Sequence, residues 1–416
     1  MRGIFNSFAI KNYRWLWLIT TLTNAGSWTF TLVVTWQAYA LTHSSTWSGA
    51  MMFATLIPNI IGAPIAGVLS DLMDRRRLML TTALAEVLVT GTLAALSQGH
   101  ILSPFGLLFL ALIFGFASSA LSVMMSSLVP VVVPSEKLFN ALSLQAVAQR
   151  GTEMVGPAVA SPLLVLYGPG MVYLLAAVLY LFAAFSVPFL TSVRIIHPEG
   201  SIVHRNPFAS LIQGFTYVRK TPTIAILVSL VGFHCALTMA YMGMLPEFVK
   251  VNLHGDSAFY GLVMSSVGFG SILGTLGLAA IKGVRTRGSL YWTTALLSGA
   301  SLALLAISHN HVMAIVAVIL VGSSQATFMT LSLGYIQQMT EDHLRGRVTS
   351  FYLVLAGGLM SLANLGFGSL SNVVTPQWIM ITTGLLFIVI VAIYAFLSSD
   401  FRSVSRTGVF LDDVAI

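Results

Sequence analysis

Arg150 and Glu153 stand three residues apart in LSLQAVAQRGTEMVGPAVA, a stretch that is otherwise without charge. On a helix this spacing puts guanidinium and carboxylate on one face, where they can pair. Such a pair can merely neutralise itself, or it can hold the charge of a ligand or exchange a proton, and both readings stand. Glu86 and His234 are similarly isolated among apolar residues. An imidazole can titrate near neutral pH, but a lone histidine on an apolar helix is more often packed than functional. Glu86 reads as structural, held protonated or hydrogen-bonded. A second concentration is GVLSDLMDRRRLML, 67–80, where five of the seven residues from Asp71 to Arg77 are charged. A carboxylate there can lie against the positive N-terminus of another helix, and the arginines can pair with carboxylates of other loops. Exposed ion pairs contribute only about 0–1 kcal/mol each. That suits a latch between two conformations of similar energy, and equally a cluster that only fixes topology.

The elements that must carry these groups follow from composition. Of 416 residues 56% are hydrophobic and 8% charged, with a mean hydropathy of +0.89. A soluble domain carries about a quarter charged residues. The apolar residues fall in runs long enough to cross a bilayer as helices, without the alternation of a transmembrane barrel. The expected fold class is an all-α integral membrane protein with twelve transmembrane helices in two pseudo-symmetric six-helix bundles. Ionisable groups inside such spans cost roughly 2.5–3.5 kcal/mol each and are functional candidates by default.

The expected spans are about 15–41, 46–70, 78–97, 102–130, 139–165, 170–190, 223–245, 258–281, 289–307, 311–335, 346–371 and 377–398. The expected domains are an N-terminal bundle at 1–190, a cytoplasmic linker with an amphipathic helix at 191–222, a C-terminal bundle at 223–398 and a cytoplasmic tail at 399–416. In the linker, Phe208, Leu211, Ile212, Phe215 and Val218 share one helical face, as in a helix lying at the membrane interface. With both termini cytoplasmic, every Lys and Arg falls on the inner side except Lys250, outside, and Arg150, within the membrane. So lopsided a distribution sets the topology. It also removes nucleic acid as a partner, because the net charge of +7 is spread over the loops of one membrane face. The single cysteine, Cys235, makes no disulfide framework. The basic-flanked apolar segment at the N-terminus reads as a retained first helix.

The two halves resemble each other. Gly49 and Gly62 in the second span have the same separation as Gly261 and Gly274 in the eighth. PSEKLFNALS and TEDHLRGRVT occupy equivalent connections, with Leu138 answering Leu344. Parallel six-helix repeats imply a binding site between the halves near the bilayer midplane.

Gly67, Leu69, Asp71, Asp74, Arg75, Arg76 and Arg77 form G-x-L-x-D-x-x-D-R-R-R. This resembles the loop 2–3 signature of the major facilitator superfamily, in the branch that includes the enterobactin exporter and the macrolide efflux proteins. FAIKNYRWLW, LIQGFTYVRKTP, YGLVMSSVGFGSILG and LRGRVTSFY, in that order, resemble the same branch. The resemblance implies alternating access and, in most relatives, efflux driven by proton exchange. It assigns Gly67, Asp71, Asp74, Arg75 and Arg76 to a cytoplasmic gate, with Arg345 and Arg347 in the matching loop. Gly151, Gly156 and Pro157 resemble the kinked glycine motif of antiporters, although Ala160-Ser161 replaces its second glycine pair. Relatives often carry an aspartate after the glycine of helix 1, where Gly26-Ser27-Trp28 stands here. Ser27 cannot titrate, so proton coupling must use another group or be absent.

The first span is rich in Thr, Asn and Ser, and Asn24 and Trp28 are candidates for cavity lining. Interhelical hydrogen bonding explains the same residues. The 18 methionines fit an adaptable pocket or an ordinary core. There is no G-x-x-x-x-G-K-[ST], H-E-x-x-H or G-x-S-x-G. The pair His309 and His311 reads as an external loop feature. The expectation is a non-enzymatic secondary transporter of the inner membrane, monomeric, with no cofactor or metal and driven by a proton gradient. Its cargo is a small amphipathic molecule, a drug or siderophore-like metabolite. An importer or uncoupled facilitator is the alternative, and a non-transporting receptor or scaffold the alternative of another class.

Overall fold

Backbone groups in hydrocarbon must pair within the chain, which here means winding into helices. The computed structural model describes residues 6–191, 207–281, 283–341, 344–398 and 402, with no strand among them. The first bundle comprises α1 (Lys11–Thr42), α2 (Ser45–Leu56), α3 (Pro58–Leu72), α4 (Arg75–Gln98), α5 (Pro104–Val132), α6 (Ser135–Tyr167) and α7 (Pro169–Ser186). After α8 (Pro207–Lys220) the second comprises α9 (Pro222–His234), α10 (Leu245–Glu247), α11 (Ser257–Ala280), α12 (Val284–Ala306), α13 (His311–Met339), α14 (Arg345–Leu370) and α15 (Pro376–Leu397).

Among the described residues, nine helical segments are long and apolar enough to cross a membrane on composition alone. The other three crossings are α1, the α2–α3 pair and α6. In α1 and α6 hydroxyls and charges lower the hydropathy, whereas α2 and α3, at 12 and 15 residues, are each too short because the crossing is interrupted at Ile57. At 32 and 33 residues, α1 and α6 are each roughly 50 Å long, well beyond a ~30 Å hydrocarbon core. The fold is that of twelve crossings in two six-helix bundles.

Two spans differ from the sequence expectation. The second breaks between α2 and α3 because Pro58 has no N–H to continue the ladder. Gly115 of α5 lies against this break, close to the Ala54 carbonyl and the Pro58 ring. The seventh does not end near 245. It continues from α9 through a π turn at Cys235–Met239, a 3-10 turn at Ala240–Gly243, α10 and a second π turn at Phe248–Asn252. Pro246, inside it, also has no N–H to donate.

The matched glycines pack in matched ways. A Cβ on Gly49 would run into the Asn364 carbonyl of α14, and one on Gly261 into Ser161 of α6, both in the opposite bundle. Gly62 and Gly274 instead face α5 and α13 of their own bundles, at Ser119 and Ser323. Small residues let backbones approach in lipid, where the hydrophobic effect supplies no drive.

The ends of the molecule are unlike. Call the end carrying Arg75–Arg77, Arg219, Arg285 and Arg345 the basic end. Toward it each bundle has a core of its own. One is built on Tyr13, Met79, Leu128 and Leu190, the other on Ile224, Tyr291, Ile336 and Tyr352. In the far half a single core runs through both, from Phe30, Phe114 and Tyr173 to Tyr241, Val263 and Val318.

Candidate central polar site

α6 places Arg150 and Glu153 near its middle, 15 and 18 residues from Ser135. Arg150 Nη1 donates to Glu153 Oε2 at 3.1 Å. The two ends of the pair differ in exposure. The Arg150 side chain is 37% exposed and that of Glu153 only 8%. Ser271 Oγ of α11 donates to Glu153 Oε1 at 3.4 Å, so the carboxylate reaches the second bundle. Gly268, one helical turn earlier on α11, lies directly on the α6 backbone at Glu153 and Met154. Pro157, lacking an N–H, leaves the Glu153 carbonyl without its helical partner. Gly156 seats α6 on α1, against the Trp28 Cβ and the Ala25 carbonyl, while Gly151 has open space beside it. Asn24 gives its side-chain amide to the Thr20 carbonyl at 2.9 Å. Trp28 is half-buried beside the shared core. The structure thus brings Arg150, Glu153, Gly156 and Trp28 into one seam at mid-depth. Ser271 and Gly268 complete it from the other bundle. Serine is frequent in this chain, and nothing in the local sequence singles Ser271 out.

The other membrane-depth groups lie apart from this seam. Glu86 of α4 is 1% exposed, and its Oε2 has no hydrogen-bond partner among the described residues. His234 is fully buried inside the second bundle, between the rings of Phe328 and Phe387. Its Nε2 shares a 2.9 Å hydrogen bond with Ser298 Oγ, which donates in turn to Thr238 Oγ1 at 3.2 Å. Gln325 caps the network by donating to the Thr238 carbonyl at 2.7 Å.

At the basic end, Asp74 caps α4, accepting from the Arg76 and Arg77 amides at 2.8 and 3.2 Å. This is the side-chain capping that a short acid before a helix performs. Arg76 donates to the Pro188 carbonyl at 2.6 Å, beyond the end of α7. Arg75 opens α4. Arg345 Nε donates to the Gln337 and Thr340 carbonyls at 2.8 and 3.1 Å, where the last turn of α13 leaves carbonyls unpaired. The Arg347 carbonyl lies under Gly214 of α8. Gly67 and Asp71 belong to α3, and the surroundings of both fall outside the described residues, as does the linker at 192–206. His311 stacks its ring on Phe259 at 3.9 Å, and its Nε2 donates to the Leu253 carbonyl at 3.0 Å.

Two six-helix bundles with a polar pair at their seam match one family over nearly the whole chain. The model for the transmembrane secretion effectors of the major facilitator superfamily covers residues 2–406. The chain belongs to this family. It is similar to the staphyloferrin A transporter of Staphylococcus aureus, at 24% identity over 82% of this chain and 84% of that one. It is equally similar, at 24%, to the enterobactin exporter EntS of Escherichia coli O139:H28, over 82% of this chain and 80% of the other. Among solved structures, a nucleoside transporter, NupG, superposes with a TM-score of 0.69 at 14% identity, over 93% of this chain and all of that one. A POT family transporter in complex with 5-aminolevulinic acid gives 0.74 at 11% identity, over 94% and 96%. The chain is therefore a membrane transporter and not an enzyme.

Proposed function

We propose that this transporter exports a small amphipathic, acidic molecule of the siderophore type by alternating access, with protons moving the other way. The observation that carries this reading is the unequal division of the core. One shared core closes the far half, while two separate cores lie toward the basic end. A molecule built so can rock about its middle. With the positive-inside rule, the basic end is cytoplasmic and both termini lie inside. The path is then shut to the outside and faces the cytoplasm, ready to load cargo.

Arg150 offers a half-exposed cation at mid-depth, suited to a carboxylate or catecholate of the cargo. Glu153, buried beneath it and bonded across to Ser271, is the group whose protonation reports on both the cargo and the seam. That division supplies what Ser27 does not. The staphyloferrin and enterobactin relatives, named for siderophores, support the choice of cargo. The basic-end cluster of Asp71, Arg75, Arg76, Arg345 and Arg347 would latch the cytoplasmic face when the molecule rocks the other way. Ser27, in place of the aspartate of relatives, favours a second reading as an uncoupled facilitator. The test is accumulation of radiolabelled carboxylate and catecholate siderophores by inside-out membrane vesicles. Accumulation abolished by an uncoupler supports antiport, flux indifferent to it supports facilitation, and no flux of either cargo refutes the export reading.

A further inference from the structure

We infer that Glu247 is the carboxylate latch of the far end, holding the two bundles together where the transport path closes. This rests on the reading that the bundles separate at that end. Glu247 ends α10, in the broken seventh crossing, which brings its side chain to the seam between α2 and α14. Its Oε2 accepts the hydroxyl of Ser45, the first residue of α2 in the opposite bundle. The same oxygen accepts from Ser371, just beyond α14 in its own bundle, at 3.3 Å. Ser45 is fully buried and Ser371 only 7% exposed, so neither hydroxyl has water as an easy alternative.

The surroundings are built for close approach. The Ser45 carbonyl lies under Gly368 of α14, and Gly49 is pressed between Asn364 and Gly243. Asn364 Oδ1 accepts the Gly243 amide at 2.8 Å, which fixes the break that presents Glu247. At the rim, Asn372 donates to Thr46 Oγ1 at 2.7 Å and accepts from Ser44 at 3.0 Å, and Thr46 donates to the Gly368 carbonyl at 3.3 Å. The titratable groups of the packed elements near Glu247 are Tyr39 on α1, His43 just beyond its end, Tyr241 in the 3-10 turn, and Lys250 three residues on. The facing parts of α2 and α14 have none. Among the described residues, the polar bonds at the rim of this seam join neutral groups. The one to a carboxylate is the strongest kind available, and opening the far end must break it.

The test uses a reporter cysteine, Ser161→Cys, in a Cys235→Ala background. Ser161 lies on α6, 7% exposed, 3.2 Å from the Ala258 carbonyl of the opposite bundle. Spheroplasts are treated with a membrane-impermeant maleimide and the rate of labelling is read. Glu247→Ala should raise the rate about tenfold. Ser45→Ala should raise it comparably, and Glu247→Gln less, because a neutral amide oxygen still accepts the hydroxyl. If the Glu247 variants do not accumulate, Ser45→Ala decides, since it removes one hydroxyl and leaves the acid in place. A reporter that labels at the same rate with and without these substitutions overturns the latch and leaves alternating access standing. A reporter that labels in no variant, in spheroplasts or in inside-out vesicles given the same maleimide, overturns both.

Discussion

Adding one methyl group at Gly268 should shift the conformational balance of the whole transporter. An ideal Cβ there would lie 2.6 Å from the Glu153 carbonyl carbon and 2.7 Å from Met154 Cα. Ordinary Cβ contacts begin near 3.4 Å, and the Met154 backbone nitrogen lies closer still, so α11 must back away from α6 by about 1 Å. The obstacle is helix backbone, which cannot swing aside as a side chain could. Overpacking of this kind costs about 1–3 kcal/mol. At about 1.4 kcal/mol per tenfold, the population ratio moves by roughly 5- to 150-fold. On the proposed alternating access, the cost falls on the state in which α11 and α6 are in contact and is relieved as they part. The 3.4 Å bond from Ser271 to Glu153 is lost with it. Spin labels at Leu41 and Val373, exposed far-end positions on opposite bundles at 45% and 86%, report the change by pulsed dipolar spectroscopy. Gly268→Ala should enlarge the long-distance population. Gly277→Ala, with nothing within 4 Å of its Cβ position, should not. Identical distance distributions for Gly268→Ala and the parent would show that this seam does not set the closed state.

Three further outcomes are expected. Arg150→Ala, Glu153→Gln and the double variant should each reduce vesicle flux at least tenfold; a double variant that recovers flux would reduce the pair to mutual neutralisation. Asp71→Asn should slow transport severalfold with unchanged membrane yield and melting temperature, whereas full activity would remove it from the gate. His234→Ala should destabilise by about 2–4 kcal/mol, through the lost Ser298 bond and the vacated space between Phe328 and Phe387. Flux per folded molecule should be kept, so a flux defect out of proportion to the loss of protein would make the histidine part of the mechanism.

Much of the architecture was legible in the sequence because lipid imposes one dominant rule. Apolar runs of sufficient length become helices, and apart from the end of the seventh crossing their ends lie within a few residues of those expected. The repeated glycines were legible as a repeat, but not as two different contacts; only packing reveals that Gly49 and Gly261 face the opposite bundle while Gly62 and Gly274 face their own. The pairing of Arg150 with Glu153 followed from spacing on one helix. Its connection to Ser271 did not, because a hydroxyl 118 residues away carries no local signal. The seventh crossing, expected at 223–245, runs on to Asn252, because turns of unlike pitch around Pro246 break the regular helix without ending it. Tertiary contacts with Asn364 and Ser45 hold that segment in the bundle, and contacts so distant in sequence leave no local signal at Glu247. The predicted face of α8 is divided: Val218 is buried in the core of the second bundle, and Ile212 stays 64% exposed. Gly214, which seats the helix on α14, has no hydrophobicity to betray it.

The central claim is that cargo moves outward in exchange for protons through a seam governed by Glu153. Inside-out vesicles containing the wild-type chain, energised to acidify their interior, should concentrate a radiolabelled siderophore above its external level, lose it on adding an uncoupler, and fail to gather it when Glu153→Gln replaces the parent. Uptake that matches vesicles lacking the protein, or that proceeds unchanged in the variant and in the presence of uncoupler, contradicts the account.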